Sequence, residues 1–231
     1  MTMIVSMLIA PAAAAFSQPL CPTAMELSPS AKLIADEWSA AVAEVGTGPL
    51  SSDASLAQRL NLLIELDQVT RANLWRVDKA SLETCQKQAL ETAIGERLRR
   101  IDSENTEALK RLLPKEGWFR NSVHGRIVTH GAWLIAQHSP DREFRAYALK
   151  MMKERLASDD VDPRDYTLTF DRVRLDMRLP QVYGSQAICV AGSLALYPIE
   201  KLEEVNERRA KIGWAQTIAE TKGDLEIGKP C

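Results

Sequence analysis

The sequence predicts a mainly α fold: a bundle-like single domain of helices with a short β-hairpin near the C-terminal third. Three observations lead there. Apolar residues recur at helical spacing along most of the chain, prolines and glycines fall between those stripes, and only residues 186–197 are small, β-branched and apolar around a Gly-Ser pair. The 231 residues, 45% apolar and 26% charged, have the size and balance of one ordinary globular domain.

Ser30 to Val45 reads as the first helix, with Leu33, Ile34, Trp38, Ala41, Val42 and Val45 spaced by turns, and Gly46-Thr47-Gly48-Pro49 stops it. Ser55 to Val77 is the second, carrying a stripe of Leu56, Leu60, Leu63, Ile64, Leu66, Val69 and Leu74. The third starts near Ser81 and continues to Leu113, where Pro114 and Gly117 break the chain. One helix is expected from Ser122 to His138. Ser139-Pro140-Asp141 supplies a cap, an early proline and an acidic first turn for a helix to Leu156, burying Phe144, Ala148, Met151 and Met152. Asp162-Pro163 repeats that start for a helix to Met177. After the hairpin, Glu200 to Ile212 returns to helix, closed by Gly213, and a last short helix carries Trp214 and Ile218.

Residues 1–15 read as a signal peptide: Met3 to Ala15 is almost wholly apolar, too short to span a membrane, and ends in small residues, although no Lys or Arg precedes it. The expected organisation is therefore signal peptide 1–15, an N-terminal extension with one helix over 16–54, a main helical domain over 55–222 and a tail over 223–231. The location implied is periplasmic or secreted, with no membrane span in the mature chain. A formal charge of −2, with both signs interleaved, provides no basic face for nucleic acid. Cys21, Cys85, Cys189 and Cys231 contain no CxxC spacing, so a zinc ribbon or thioredoxin-like motif is absent. In an oxidising compartment they allow three pairings. Cys21–Cys85 with Cys189–Cys231 is favoured, since each would tie a terminus to a nearby element; free buried thiols are the alternative.

Metal binding by the histidines of one helix fails on geometry, which leaves one His with carboxylates from other helices as the alternative. On one helix, His124 and His138 would lie about 21 Å apart along the axis and His130 and His138 about 12 Å apart, beyond the reach of one ion. No GxSxG, P-loop, GxGxxG or HExxH occurs, so no metal and no cofactor is expected, and Ser185 has no case as a nucleophile. His138 ends its helix, where it either bonds carbonyls or serves as an acid/base or ligand contact. Asp171 lies mid-helix beside Arg172, either in a structural ion pair or as a catalyst. Pro180-Gln181-Val182-Tyr183-Gly184-Ser185-Gln186 gathers two amides, a phenol and a hydroxyl around a glycine. Such a loop either grips a polar ligand or satisfies its own backbone. Of the adjacent Arg208 and Arg209, which point about 100° apart, at most one is expected to turn inward.

Gly117-Trp118, Val123 with Gly125, Ala132-Trp133, Gln137-His138, Asp171-Arg172, the Pro180–Gln186 run and Asn206-Glu207-Arg208-Arg209 occur in a recognisable order. The chain resembles an uncharacterised bacterial family, known only as a domain of unknown function, that carries a Tyr-Gly-Thr-Gln motif. Asp67-Gln68 with Arg71, and Asp102 with Asn105, look like that family's upstream helices, so the likeness covers about residues 60–220. Ser185 stands where the family has Thr, keeping the hydroxyl, and Phe119 stands where Pro is expected. The resemblance implies that His138, Asp171, Gln181, Tyr183 and Gln186 share one neighbourhood; it implies no activity.

The expectation is an exported protein that binds a small polar ligand or a protein partner in a cleft lined by His138 and the loop, with Gln181, Tyr183, Ser185, Gln186, Arg172 and Arg208 in contact. The alternative is a metal-independent hydrolase or lyase using His138 with Asp171 or Tyr183 as acid and base. Convergence of those three side chains would favour the enzyme.

Overall fold

The computed structural model describes residue 21 and residues 25–46, 55–76 and 82–229. The proposed signal peptide and Cys231 lie outside the described residues. Helix α1 (Pro29–Gly46), α2 (Leu56–Arg76) and α3 (Thr84–Leu112) pack against one another. At 29 residues, α3 is roughly 44 Å long and links two apolar clusters. At one end, its Leu90 and Ile94 join Ala31, Trp38 and Val42 of α1; the Trp38 indole N–H donates to the Thr70 carbonyl of α2 at 3.1 Å. Leu33 lies on the opposite side of α1 and is exposed. Cys21 is disulfide-bonded to Cys85, fixing the chain ahead of α1 to the first turn of α3. Cys189 is disulfide-bonded as well.

The larger cluster surrounds α5 (Arg126–His138). Its Val128, Ala132, Trp133, Ile135 and Ala136 pack with Leu60 and Leu63 of α2, Leu109 of α3, and Phe144, Ala148 and Met152 of α6 (Arg142–Lys153). The expected single helix from Ser122 to His138 is broken in two. Gly125 takes φ +82°, a left-handed conformation open to glycine, and separates α4 (Asn121–His124) from α5. Asp162 caps α7 (Pro163–Asp176) through Arg164 N, as its sequence predicts, whereas α6 starts two residues later than expected: its cap is Asp141, through Phe144 N, and not Ser139. Helix α7 packs on α5 and α6, and the Trp133 indole N–H donates to the Thr169 hydroxyl at 2.9 Å.

The hairpin is formed by β1 (Ala187–Val190) and β2 (Ser193–Leu196), antiparallel, with Ala187 opposite Leu196 and Val190 opposite Ser193. Ala191 and Gly192 both have positive φ, as a two-residue hairpin turn demands. The expected helix over Glu200–Ile212 is shorter. A 3-10 turn at Leu202–Glu204 precedes α8 (Val205–Lys211), because Lys201 sits at φ +45° and interrupts helical geometry. A capping box at Thr217 and Glu220 opens α9 (Ile218–Asp224), and the residues beyond return to β2 through Leu194. Among the described residues no helix is long and apolar enough to cross a membrane.

Candidate functional site

The loop after α7 is organised around one carboxylate. Asp171 is fully buried; its Oδ1 accepts from Val182 N at 2.7 Å and Tyr183 N at 3.0 Å. Its Oδ2 accepts from Ser185 N at 3.0 Å and the Ser185 hydroxyl at 2.9 Å. Burial pushes this carboxyl above its ordinary range, and the loop amides at Tyr183, Val182 and Ser185 oppose that. Every contact is a donor, so the group accepts as a carboxylate. Gln181, also fully buried, closes the loop: its Oε1 accepts from Gln186 N, and its Nε2 donates to the carbonyls of Gln186 and Tyr197.

The loop's carbonyls are answered from α8. Arg209 is buried and donates to the carbonyls of Tyr183, Gly184 and Gln216 and to the Thr221 hydroxyl, with its guanidinium 3.9 Å from the Trp214 ring centre. Burial lowers it to about 10, against the attraction of Asp171. Arg208 also faces the loop, donating to the carbonyls of Val182, Glu200 and Lys201. Both arginines thus turn to one segment, where at most one was expected to turn inward. Gly184 has φ +68°, and a Cβ there would lie 2.5 Å from Ile218 Cδ1 and 2.8 Å from Ile199 Cδ1. Tyr183 packs edge-on against Phe170, and its hydroxyl has no hydrogen-bond partner among the described residues. Burial raises the Tyr183 phenol, and Asp171 adds to that.

His138 belongs to a different assembly. Its Nδ1 lies 2.8 Å from Asp67 Oδ1, so the ring is oriented by α2 and not by Asp171. Asp67 is almost fully buried and also takes Arg71 Nη1 at 2.7 Å and Gln68 Nε2 at 2.7 Å. Arg71 reaches across to α3 and holds both oxygens of Asp102, at 2.9 and 3.0 Å. Burial raises the Asp102 carboxyl, with Arg71 pulling it down. His138 keeps 20% of its side-chain surface, and Nε2 has no partner among the described residues and is not enclosed. Ser139, next in the chain, gives its carbonyl to Arg145, which pairs with Asp176 at 2.6 Å. Arg172 donates from Nη2 to Gln186 Oε1 at 2.8 Å, which joins this assembly to the loop.

The remaining histidines stand apart. His130 Nδ1 lies 2.9 Å from buried Asp165 Oδ2, with the ring 4.8 Å from that of Trp133. His124 sits on α4, where its Nδ1 accepts from Arg120 N. Among the described residues no group of three or more His, Cys, Asp or Glu is placed to hold a metal ion. A cavity of about 300 Å³ lies between Glu116, Arg120, Glu154, Arg155, Ser158 and Asp160, and neither the Asp171 loop nor the His138 assembly contributes to its lining.

The family model described as "Family of unknown function (DUF6624)" matches residues 54–222. The chain belongs to that family. No curated protein and no solved structure matches it. The DUF6624 span contains Asp67, Arg71, Asp102, His138, Asp171, Arg172, the loop and both arginines of α8, and leaves out α1 and Cys21. Sequence reasoning noted Asp67, Arg71 and Asp102 only as part of the family likeness, and passed over Arg145 and Asp176. One signal was present: Asp67 follows Leu63 by one turn, which puts a charge on the apolar face of α2.

Proposed function

We propose that this DUF6624 protein is exported and binds a small polar ligand at the His138 cluster, with the Gln181–Gln186 loop as the rigid wall beside it. The observation that carries the reading is the state of His138. A buried carboxylate engages one ring nitrogen and leaves the other open, with Arg71 on the same carboxylate and Arg145 on the carbonyl of the next residue. Asp171, Gln181, Ser185 and Arg208 then act by holding the loop, because their polar atoms are engaged by its backbone. Gln186 and Arg172 are bonded to each other, Arg172 feels the charge of Arg71, and Tyr183 offers a hydroxyl. Export is supported by the apolar N-terminal segment and by the Cys21–Cys85 disulfide.

The test is a thermal-shift screen of metabolites and cell-wall fragments on wild type and His138→Ala. A compound that raises the wild-type Tm and leaves the folded variant unmoved supports the site. A full screen without any His138-dependent shift refutes it. For export, the N-terminus of the protein recovered from the producing cell is expected near residue 16; a cytoplasmic chain starting at Met1 refutes that part.

A second reading is favoured by the His138–Asp67 pair together with the Arg71 that shares its carboxylate. With Nδ1–H donated to Asp67, the neutral ring presents a lone pair on Nε2, the arrangement of a general base whose imidazolium form the carboxylate stabilises. In a hydrolase or lyase of this kind, His138 takes a proton from water or substrate, and Asp67, not Asp171, is the carboxylate that orients it. Turnover of a ligand found in the screen, abolished in His138→Gln and strongly reduced in Asp67→Asn, supports it; equal turnover in His138→Gln refutes it.

A further inference from the structure

Buried or half-buried guanidinium groups are stable when a carboxylate or a full set of acceptors surrounds them. The arginines of the His138 assembly and the loop meet that condition, with one exception. Arg71 is held by Asp67 and Asp102, Arg145 by Asp176 and the Ser139 carbonyl, and Arg209 by three carbonyls, a hydroxyl and an indole face. Arg172 has a single acceptor, the neutral Gln186 Oε1 at 2.8 Å. Its Nε is enclosed with no partner, and among the described residues no carboxylate lies within ion-pair distance of it.

The fold nevertheless holds this cation in place. Gln186 is itself fixed, accepting nothing at its amide end but donating to the Leu168 carbonyl and the Ser185 hydroxyl, while its backbone N–H is bound by Gln181. Its carbonyl oxygen is therefore aimed at Arg172 Nη2, and the Nη1 edge stays without a partner among the described residues. Arg71, which shares Asp67 with His138, and Arg145, which holds the carbonyl after His138, both act on Arg172 electrostatically. Burial first, and the Arg145 charge next, lower the Arg172 pKa; Asp176 opposes them, and Arg71 adds a smaller lowering. A cation oriented by a buried amide network, with no carboxylate in ion-pair distance among the described residues, and within electrostatic range of the Arg71 that shares Asp67 with His138, has the form of an anion receptor.

We propose that Arg172 is the anion-recognition group of the His138 site, so that the ligand carries an oxyanion, carboxylate or phosphate, which supplies the counter-charge missing from the fold. The inference rests on the His138 site and adds the chemical class of what it binds. Arg172 grips the oxyanion through its free N–H edge, and His138 Nε2 contacts the same group or the atom next to it.

Inorganic phosphate and acetate, each titrated at constant ionic strength against chloride, are the probes, with Tm and the ring ¹H–¹⁵N signals of His138 as readouts. One of the two is expected to bind wild type, raise Tm and move the His138 signals, and the tighter one identifies the ligand's acid group. Arg172→Gln is expected to weaken that binding at least tenfold, and Arg172→Lys by less, since it keeps the charge without the fork. Should Arg172→Gln fail to fold, Gln186→Glu places a carboxylate against the guanidinium and is expected to weaken anion binding by the same factor. Binding of neither anion to wild type, unchanged affinity in the folded variants, or binding that leaves His138 unmoved overturns the proposal. A neutral ligand from the metabolite screen that depends on His138 but not on Arg172 overturns it while leaving the His138 site standing.

Discussion

Replacing Asp171 with alanine separates the loop's architecture from its chemistry. The carboxylate is the acceptor for the backbone N–H of Val182, Tyr183 and Ser185 and for the Ser185 hydroxyl. A buried donor left without an acceptor costs about 1–3 kcal/mol. Ser185 is buried, so both of its donors incur that cost, whereas Val182 and Tyr183 are half-exposed and recover part of it from water. Removing the carboxylate also deprives Arg209 of an opposing charge. Together these give a loss of about 4 kcal/mol, a large share of the total stability of roughly 5–15 kcal/mol usual for a domain. Asp171→Asn keeps one acceptor oxygen but turns an amide NH₂ toward Ser185 N, and is expected to lose about half as much. Urea unfolding followed by circular dichroism measures both, and fluorescence of Trp214, stacked on Arg209, reports the loop directly. An alanine variant within about 1 kcal/mol of wild type, with Trp214 emission unchanged, would show that the carboxylate does not hold the loop.

Three further outcomes follow from the same coordinates. Gly184→Ala meets both a left-handed backbone and two isoleucine methyls, and should cost about 3 kcal/mol in urea unfolding; a neutral substitution contradicts the loop geometry. The hydrogen bond to Asp165 holds His130 above its ordinary value of 6.5. Its stabilising effect is therefore complete below pH 6.5 and lost as pH rises through the higher folded value. The stability difference between wild type and His130→Gln should shrink on the alkaline side of 6.5, and a difference constant across that window refutes the pairing. The Cys21–Cys85 disulfide closes a separation of 64 residues, so Cys21→Ser with Cys85→Ser should lose about 4 kcal/mol and release α1 to protease first; unchanged stability and cleavage contradict it.

Most of the helices were legible because their signals are local. Asp162 caps as its position predicts, the start signal before α6 is right to within two residues, and Phe144, Ala148 and Met152 of α6 are buried as their spacing predicts. The break at Gly125 was not legible, since a glycine inside an apolar stripe is compatible with a continuous helix until its φ is known. Lys201 carries no turn signature, which hid the shortening of α8. The YGSQ loop stood out by composition, and its contact with Asp171 joins residues only about a dozen positions apart. His138 was visible as a helix-end histidine, but its partner lies 71 positions upstream, and no local pattern encodes that distance.

Helix α5 carries two histidines with the same local geometry, each with Nδ1 on a buried aspartate, and the contrast between them identifies what makes a site. Asp165 faces its histidine with no arginine in ion-pair range among the described residues, and the His130 side chain is 53% exposed. That is a surface pair whose main consequence is pH-dependent stability. Asp67 is shared between His138 and Arg71, Arg71 is shared with Asp102, and beyond them stands Arg172 without a carboxylate. A histidine–aspartate contact alone is therefore uninformative here, because the chain makes it twice. The asymmetry lies in the surrounding charge: one pair closes on itself, while the other shares its carboxylate with Arg71, whose charge acts on the unneutralised Arg172. On the proposed reading, the imbalance at Arg172 is where the charge of a ligand is read.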